Sequence, residues 1–416
     1  MLIRLSLIVC FFIFFLITKI NFFFFILVLI SFYHLKSFFS RFLLILIIVI
    51  NVVPYFNFIS IEYTPIFNLI KNYKYISFSV DIDNFNLQLK SISLSLIPLI
   101  YFDKKLLLSS FKNFKSVNIS QLTLTVLLLT NLLALTIYYL FFATSDYGFN
   151  QWNYGADSFY FTLVRIFTNL LTIICLTSIF FKKQFSSINL FLLSIIHFYF
   201  LFFIGVRNVA LSILVFFIFY FVLNKGSLKS AFLIILLYFP ISLISSYVKS
   251  FRISSDFQFS IFEILQNFFA VVVINFNVLD GISRGYIKHI GLEFFPSILY
   301  NLLPTIIFDK SNIYSGNRFF RDKFYPDIYD HGVGFSFLAD SFWVFGQFGL
   351  MIFIIILIFI FRAVKRYTNI ELIILFFSYT FFMMRSDLSS FLKNMFFSFI
   401  ILFLFSIFSK SKKIQL

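Results

Sequence analysis

Charge is what this chain has least of. Asp, Glu, Lys and Arg make up 12% of its 416 residues, where a soluble protein carries roughly a quarter. So little charge cannot cover a water-facing surface of this size. Cysteine is nearly missing too. Cys10 and Cys175 both fall in apolar runs, so there is no disulfide framework and no thiolate metal spacing. The sequence has no metal-ligand cluster, no Gly-rich nucleotide loop and no Ser/His/Asp spacing. Chemistry carried by this chain is therefore expected to use a pre-activated substrate, with no metal and no cofactor.

Apolar residues are abundant: 61% of the chain is hydrophobic. Length alone would suggest roughly two or three soluble domains. Instead, apolar runs of about 17–25 residues recur, each long enough to cross a bilayer. The prediction is one all-α polytopic membrane domain over residues 1–416, with about twelve transmembrane helices. The 72 phenylalanines, with many Ile, Asn and Lys, match the drift of an AT-rich genome and carry no functional signal.

The predicted spans are 5–17, 21–33, 42–58, 85–102, 121–142, 159–181, 188–204, 208–223, 231–248, 337–361, 371–384 and 391–408. Arg4 followed by an apolar run imitates a signal peptide, but no small-residue cleavage site follows. The run is predicted to be the first span. The net charge of +16 is scattered between spans with no dense basic tract, which favours topology over nucleic acid binding. With both termini in the cytoplasm, the short inner segments hold Lys36, Arg41, Lys104, Lys105, Lys112, Lys115, Lys182, Lys183, Lys225, Lys229, Arg362, Lys365, Arg366 and three tail lysines. The short outer segments hold Lys19, Lys71, Lys74, Arg207 and Arg385. The bias sets the orientation. One large loop, 249–336, then faces outward. Within it Ile261–Val278 reads as re-entrant or interfacial, and Glu293–Phe308 as lying along the outer membrane interface.

Charged residues in spans or at an outer mouth are functional candidates. Arg207 sits at a predicted outer turn, where its fork suits either phosphate oxygens or a headgroup anchor. Arg165, in the outer third of a span, either meets substrate or pairs with an acid such as Asp157. Lys90 and Lys393 lie near span ends and are expected to snorkel. Arg284, Arg318 and Arg321 belong to two basic clusters of the outer loop, which are either solvated or in contact with a lipid-borne phosphate or pyrophosphate.

Four of the 12 glycines crowd into Asp330–Gly349, DHGVGFSFLADSFWVFGQFG. His331, one of four histidines, stands beside Asp330 before a Gly-x-Gly turn. It is either a proton acceptor or a plain loop histidine. Asp340 lies four residues after Ser336, hence on one helical face with it, and is either an arginine's partner or a base. Gly346 and Gly349 are read as permitting close helix packing.

HGVGFSFLADSFWVFGQFGL resembles the signature of bacterial O-antigen and capsule repeat-unit polymerases, the Wzy family. That signature has Gly-x-Ser, an acid soon after, then Phe-Gly and another Gly entering an apolar helix. The family's acid is usually Glu; Asp340 is shorter. IGVRNVALSIL resembles the family's outer turn at Gly205 and Arg207, and LLPTIIFDKSN its proline-bearing segment at Pro304. Arg321 and Gly332 repeat a loop spacing of some such polymerases.

The resemblance implies a metal-independent membrane glycosyltransferase of the bacterial inner membrane. Such an enzyme moves a growing glycan from undecaprenyl diphosphate onto an incoming lipid-linked repeat unit. His331, Asp340 and Arg207 would be catalytic. Arg165, Arg284, Arg318 and Arg321 would bind diphosphate or glycan. The implied partners are undecaprenyl-diphosphate-linked oligosaccharides, membrane lipids, a chain-length regulator and a flippase, with no nucleic acid. A lipid-linked oligosaccharide flippase and an O-antigen ligase are the alternatives.

Overall fold

The computed structural model describes residues 22–51, 82–107, 114–142, 157–200, 208–225, 275, 278–279, 281–283, 285, 287–302, 336–384, 386–408 and 412–413. Within them the chain is mostly helical. The helices are α1 (Phe22–His34), α2 (Phe38–Asn51), α3 (Ile82–Phe102), α4 (Gln121–Phe142), α5 (Asp157–Phe180), α6 (Ser187–Phe198), α7 (Asn208–Lys225), α8 (Phe294–Leu302), α9 (Phe337–Phe345), α10 (Gly349–Arg366), α11 (Ile370–Met383) and α12 (Leu388–Phe408). Two short strands, β1 (Lys115–Ser116) and β2 (Lys412–Lys413), pair antiparallel. Four described stretches are long and apolar enough to cross a membrane: Gln121–Tyr138, Tyr160–Phe180, Phe337–Arg366 and Leu388–Ile407. This is an all-α membrane architecture. The predicted spans at 5–17 and 231–248 lie outside the described residues.

Helix starts follow from local chemistry. The first N–H groups of a helix have no partner within it, and short polar side chains supply acceptors. Ser336 accepts from Leu338 and Ala339 at the start of α9, at 3.2 and 3.3 Å. Asn369 accepts from Leu372 at 2.8 Å at the start of α11. Asp387 accepts from Ser390 at 2.7 Å at the start of α12. Ser336 is thus a cap, where the sequence reading placed it one turn before Asp340 inside the helix.

Side-chain bonds sort the helix ends onto two faces. Asp103, just after α3, accepts from the backbone N–H groups of Lys36 and Ser37 at 3.0 and 2.8 Å, just before α2. The Lys115 N–H donates to Thr368 between α10 and α11 at 2.7 Å. Lys365 donates to the Leu107 carbonyl, and Lys182, after α5, donates to the Val117 carbonyl. Gln121 of α4 accepts from Asn189 of α6 at 2.6 Å. These contacts gather on one face the segments whose lysines and arginines the sequence placed in the cytoplasm.

The core is dominated by phenylalanine. Phe39 of α2 stacks on Phe361 of α10 at 4.4 Å, and Phe361 meets Phe376 and Phe377 of α11 at 5.3 and 5.7 Å. Phe219 of α7 joins them through Phe377 at 5.5 Å. Their abundance therefore has a packing use whatever its genomic origin. α3 packs most extensively on α10. Its Ser91, Ser93 and Ser95 are all buried, and small residues let membrane helices approach closely.

Phe337–Arg366 qualifies as one span by length and composition, but it is not one straight helix. α9 ends at Gly346, whose φ is +62°, a conformation that favours glycine. A three-residue 3₁₀ turn follows, Gly346–Phe348. A Cβ placed on Gly349 would lie 1.7 Å from the Ser341 carbonyl oxygen. In a continuous helix those residues would be separated by a rise of about 12 Å. The chain therefore folds back, and backbone touches backbone at a point where only glycine fits. This corrects the predicted unbroken span from Phe337. α10 alone, with 18 residues, reaches about 27 Å. The expected close packing at Gly349 is present, as an elbow between α9 and α10.

Gly349→Ala should force the elbow apart, at a cost of about 1–3 kcal/mol or more as in other overpacked sites. Gly346→Ala should cost about 1–2 kcal/mol from backbone strain. Melting in detergent checks both. A Gly349→Ala protein as stable as the parent would contradict the fold-back.

Candidate functional site

A polar pocket lies inside the apolar bundle, toward the face opposite the basic loops. Arg165, Asn169, Ser378, Tyr379, Phe382 and Asn394 line it. It has room for about one water molecule. Three helices build it. α5 contributes Arg165 and Asn169, which are four apart and so share a face. α11 contributes Ser378, Tyr379 and Phe382, and α12 contributes Asn394. Arg165 lies twelve residues before Thr177, about 18 Å along the helix from the end where Thr177 meets Glu371.

The Arg165 guanidinium donates to Asn394 Oδ1 at 3.4 Å and stands 5.4 Å from the centre of the Phe382 ring. An amide and an aromatic face are thus among the groups that hold the cation. The Tyr379 hydroxyl meets Ser398 Oγ at 2.9 Å. Asn169 Oδ1 is buried with no hydrogen-bond partner among the described residues. The pocket therefore sets a half-buried guanidinium beside a spare acceptor.

Asp340 is fully buried on α9. Its Oδ2 accepts from the Leu388 N–H at 3.0 Å, the first residue of α12. Asp387 occupies the same helix start, bonded to Ser390 and to Ser389 Oγ at 3.0 Å. Two carboxylates thus sit where the helix dipole is positive, and Asp340 ties the elbow helix to the start of α12.

The segment just before α8 also meets α9. Trp343 Nε1 donates to the Lys288 carbonyl at 3.1 Å, and the Ile290 N–H donates to the Trp343 carbonyl at 3.2 Å. His289 lies between them, exposed. α8 follows, with Phe294 stacked on Phe353 at 5.3 Å and Leu292, Phe295 and Leu299 exposed. α8 falls within the stretch expected along the outer interface.

Of the predicted site residues, the structure describes Arg165 and Asp340. His331, Arg207, Arg284, Arg318 and Arg321 lie outside the described residues. Asn169, Tyr379 and Asn394 were missed. Their available signal was polar side chains in apolar runs, which a search for charged residues passes over. Comparison with family models, with characterised proteins and with solved structures finds no match.

Asp340→Ala leaves the Leu388 N–H without its acceptor in a buried place. It should cost about 1–3 kcal/mol and lower the melting temperature. Asp340→Asn keeps an acceptor oxygen and should lose less. Equal melting of the two variants would show that the carboxylate does not hold the start of α12.

Proposed function

We propose that this chain is an oligosaccharide repeat-unit polymerase. It transfers a growing glycan from undecaprenyl diphosphate onto an incoming lipid-linked repeat unit at the outer face of a bacterial inner membrane. Both termini are cytoplasmic in this reading, and the chain crosses about twelve times. The observation that carries the proposal is Arg165: a guanidinium on a helix long and apolar enough to cross a membrane, set against Asn394 and Phe382 toward the end opposite the basic loops. It stands beside the resemblance of the Asp330–Gly349 stretch to the polymerase signature.

The chemistry fits such a group. The leaving group is a diphosphate, so negative charge grows as the sugar departs. Prearranged cations stabilise that charge without reorganising. Arg165 acts through its fixed charge, and Arg207, Arg284, Arg318 and Arg321 are the proposed contacts to diphosphate or glycan. Proton removal from the acceptor hydroxyl requires a base at the same face, a role proposed from the signature for His331 or Asp340. Two lipid-linked substrates meet while confined to one plane, which lowers the entropic cost of their encounter.

Deletion of the coding sequence, read on a glycolipid gel, tests the activity. A polymerase leaves single repeats on the surface, a flippase leaves none, and a ligase leaves unattached polymer. Arg165→Ala and Arg207→Ala should each remove the polymer ladder while the protein still inserts. A loss of about 100-fold is the scale for one charge-stabilising donor. A normal ladder from the Arg165 variant would remove that residue from the mechanism.

A further inference from the structure

One feature of the polar pocket has no part in the charge on Arg165: the side-chain oxygen of Asn169. Asn169 lies one turn further into the bundle on α5, about 6 Å along the axis. It is 4% exposed, and its Oδ1 has no hydrogen-bond partner among the described residues. Lipid offers no substitute, and a buried acceptor without a donor in a folded protein calls for an explanation. The hydroxyls around it are engaged elsewhere. Ser378 donates to the Ile374 carbonyl at 3.0 Å, and the Tyr379 hydroxyl meets Ser398 Oγ at 2.9 Å. The Asn169 amide also faces the Tyr379 hydroxyl, and its oxygen is still unmatched. Asn169, Ser378, Tyr379 and Asn394 are the buried floor of the pocket, and the half-buried Arg165 and Phe382 are its rim.

The hydrogen-bonding needs and the size of the pocket define what it can hold. Asn169 Oδ1 requires an O–H or N–H, whereas a guanidinium only donates. A group seated between them must therefore donate on one side and accept on the other. It must also be about as large as one water molecule. A hydroxyl meets both conditions. An acetamido or phosphoryl group is too large, and an ionised phosphate only accepts. We propose that the pocket seats one sugar hydroxyl of the lipid-linked glycan. Asn169 Oδ1 accepts its hydrogen and the Arg165 guanidinium donates to its oxygen. The choice of glycan rests on the polymerase reading. Asn169 is then a specificity-determining residue, because a site built to bond a hydroxyl rejects a ligand that lacks one. The guanidinium has five N–H groups, so one edge serves the hydroxyl while another meets the diphosphate at the rim.

The test compares the full-length parent with Asn169→Leu, which keeps most of the volume and removes the acceptor. Lipid-linked repeat units isolated from cells lacking the gene are the probe. Two quantities are read: polymerisation rate in liposomes against repeat-unit concentration, and the rise in melting temperature when repeat units are added in detergent. The variant should show a KM raised tenfold or more with kcat little changed, and a smaller melting rise. Without ligand it should melt at or above the parent, since an unpaired buried oxygen has been removed. A ligand-free variant that melts below the parent overturns the proposal and makes Asn169 a structural residue. An unchanged KM and melting rise overturn it too, and leave a resident water as the occupant. If the parent makes no polymer, the polymerase reading falls. A melting rise that still depends on Asn169 would then keep the pocket as a glycan site, and no such rise would remove it.

Discussion

Every buried polar group in a bilayer has to find its partner inside the protein, because lipid offers none. The helix starts are where this constraint presses hardest, since each leaves backbone N–H groups unpaired. The chain answers with carboxylates. Asp103 holds the N–H groups of Lys36 and Ser37 before α2. Asp340 and Asp387 hold the start of α12. Glu371, fully buried in the first turn of α11, takes hydrogen bonds from Ser116 and from Thr177 at 3.2 Å. Each carboxyl group lies where the helix dipole is positive. The chain has 17 acidic residues in all, so four spent as buried ties are a sizeable share. Their use here is to join elements distant in sequence, which a local cap cannot do.

The same arrangement produces the charge asymmetry of the molecule. At the face that carries the basic loops, Asp103 and Glu371 are both buried, and each takes hydrogen bonds from another element. Lys36, Lys104, Lys105, Lys115, Lys183 and Arg366 are exposed. The exposed face is therefore positive for a structural reason. Its acids have been drawn inward to tie helices, leaving the cations outside. The bias that orients the chain in sequence and the ties that assemble it are two sides of one partition. At the opposite face the roles change: a cation, Arg165, is held within the bundle.

Much of this was legible in the sequence. Apolar runs give helix locations to within a few residues, as at Gln121–Phe142 and Ile370–Met383, because hydrophobicity over a span is an additive property. The elbow was half legible. Gly346 and Gly349 marked a close approach, but the contact is between residues eight apart that no helical period brings together. The role of Asp340 was legible as a need for a partner. One partner is the Leu388 N–H at the start of α12, and a backbone group leaves no mark in a sequence. The contact of His289 with the Trp343 carbonyl was hidden for the same reason: it sits near the end of α9, at a break that hydropathy does not register.

The elbow connects these features to chemistry. A straight span from Phe337 would carry Asp340 and Trp343 outward along a single axis. Folding back at Gly346 instead lays α9 against α10, brings Asp340 to the start of α12 and exposes a helix C-terminus to the outer-loop segment. One conformational feature thereby anchors the helix that supplies Asn394 to Arg165. In the proposed transfer a stationary cation would meet the departing diphosphate, and Arg165 touches, through Asn394, a helix whose start the elbow holds.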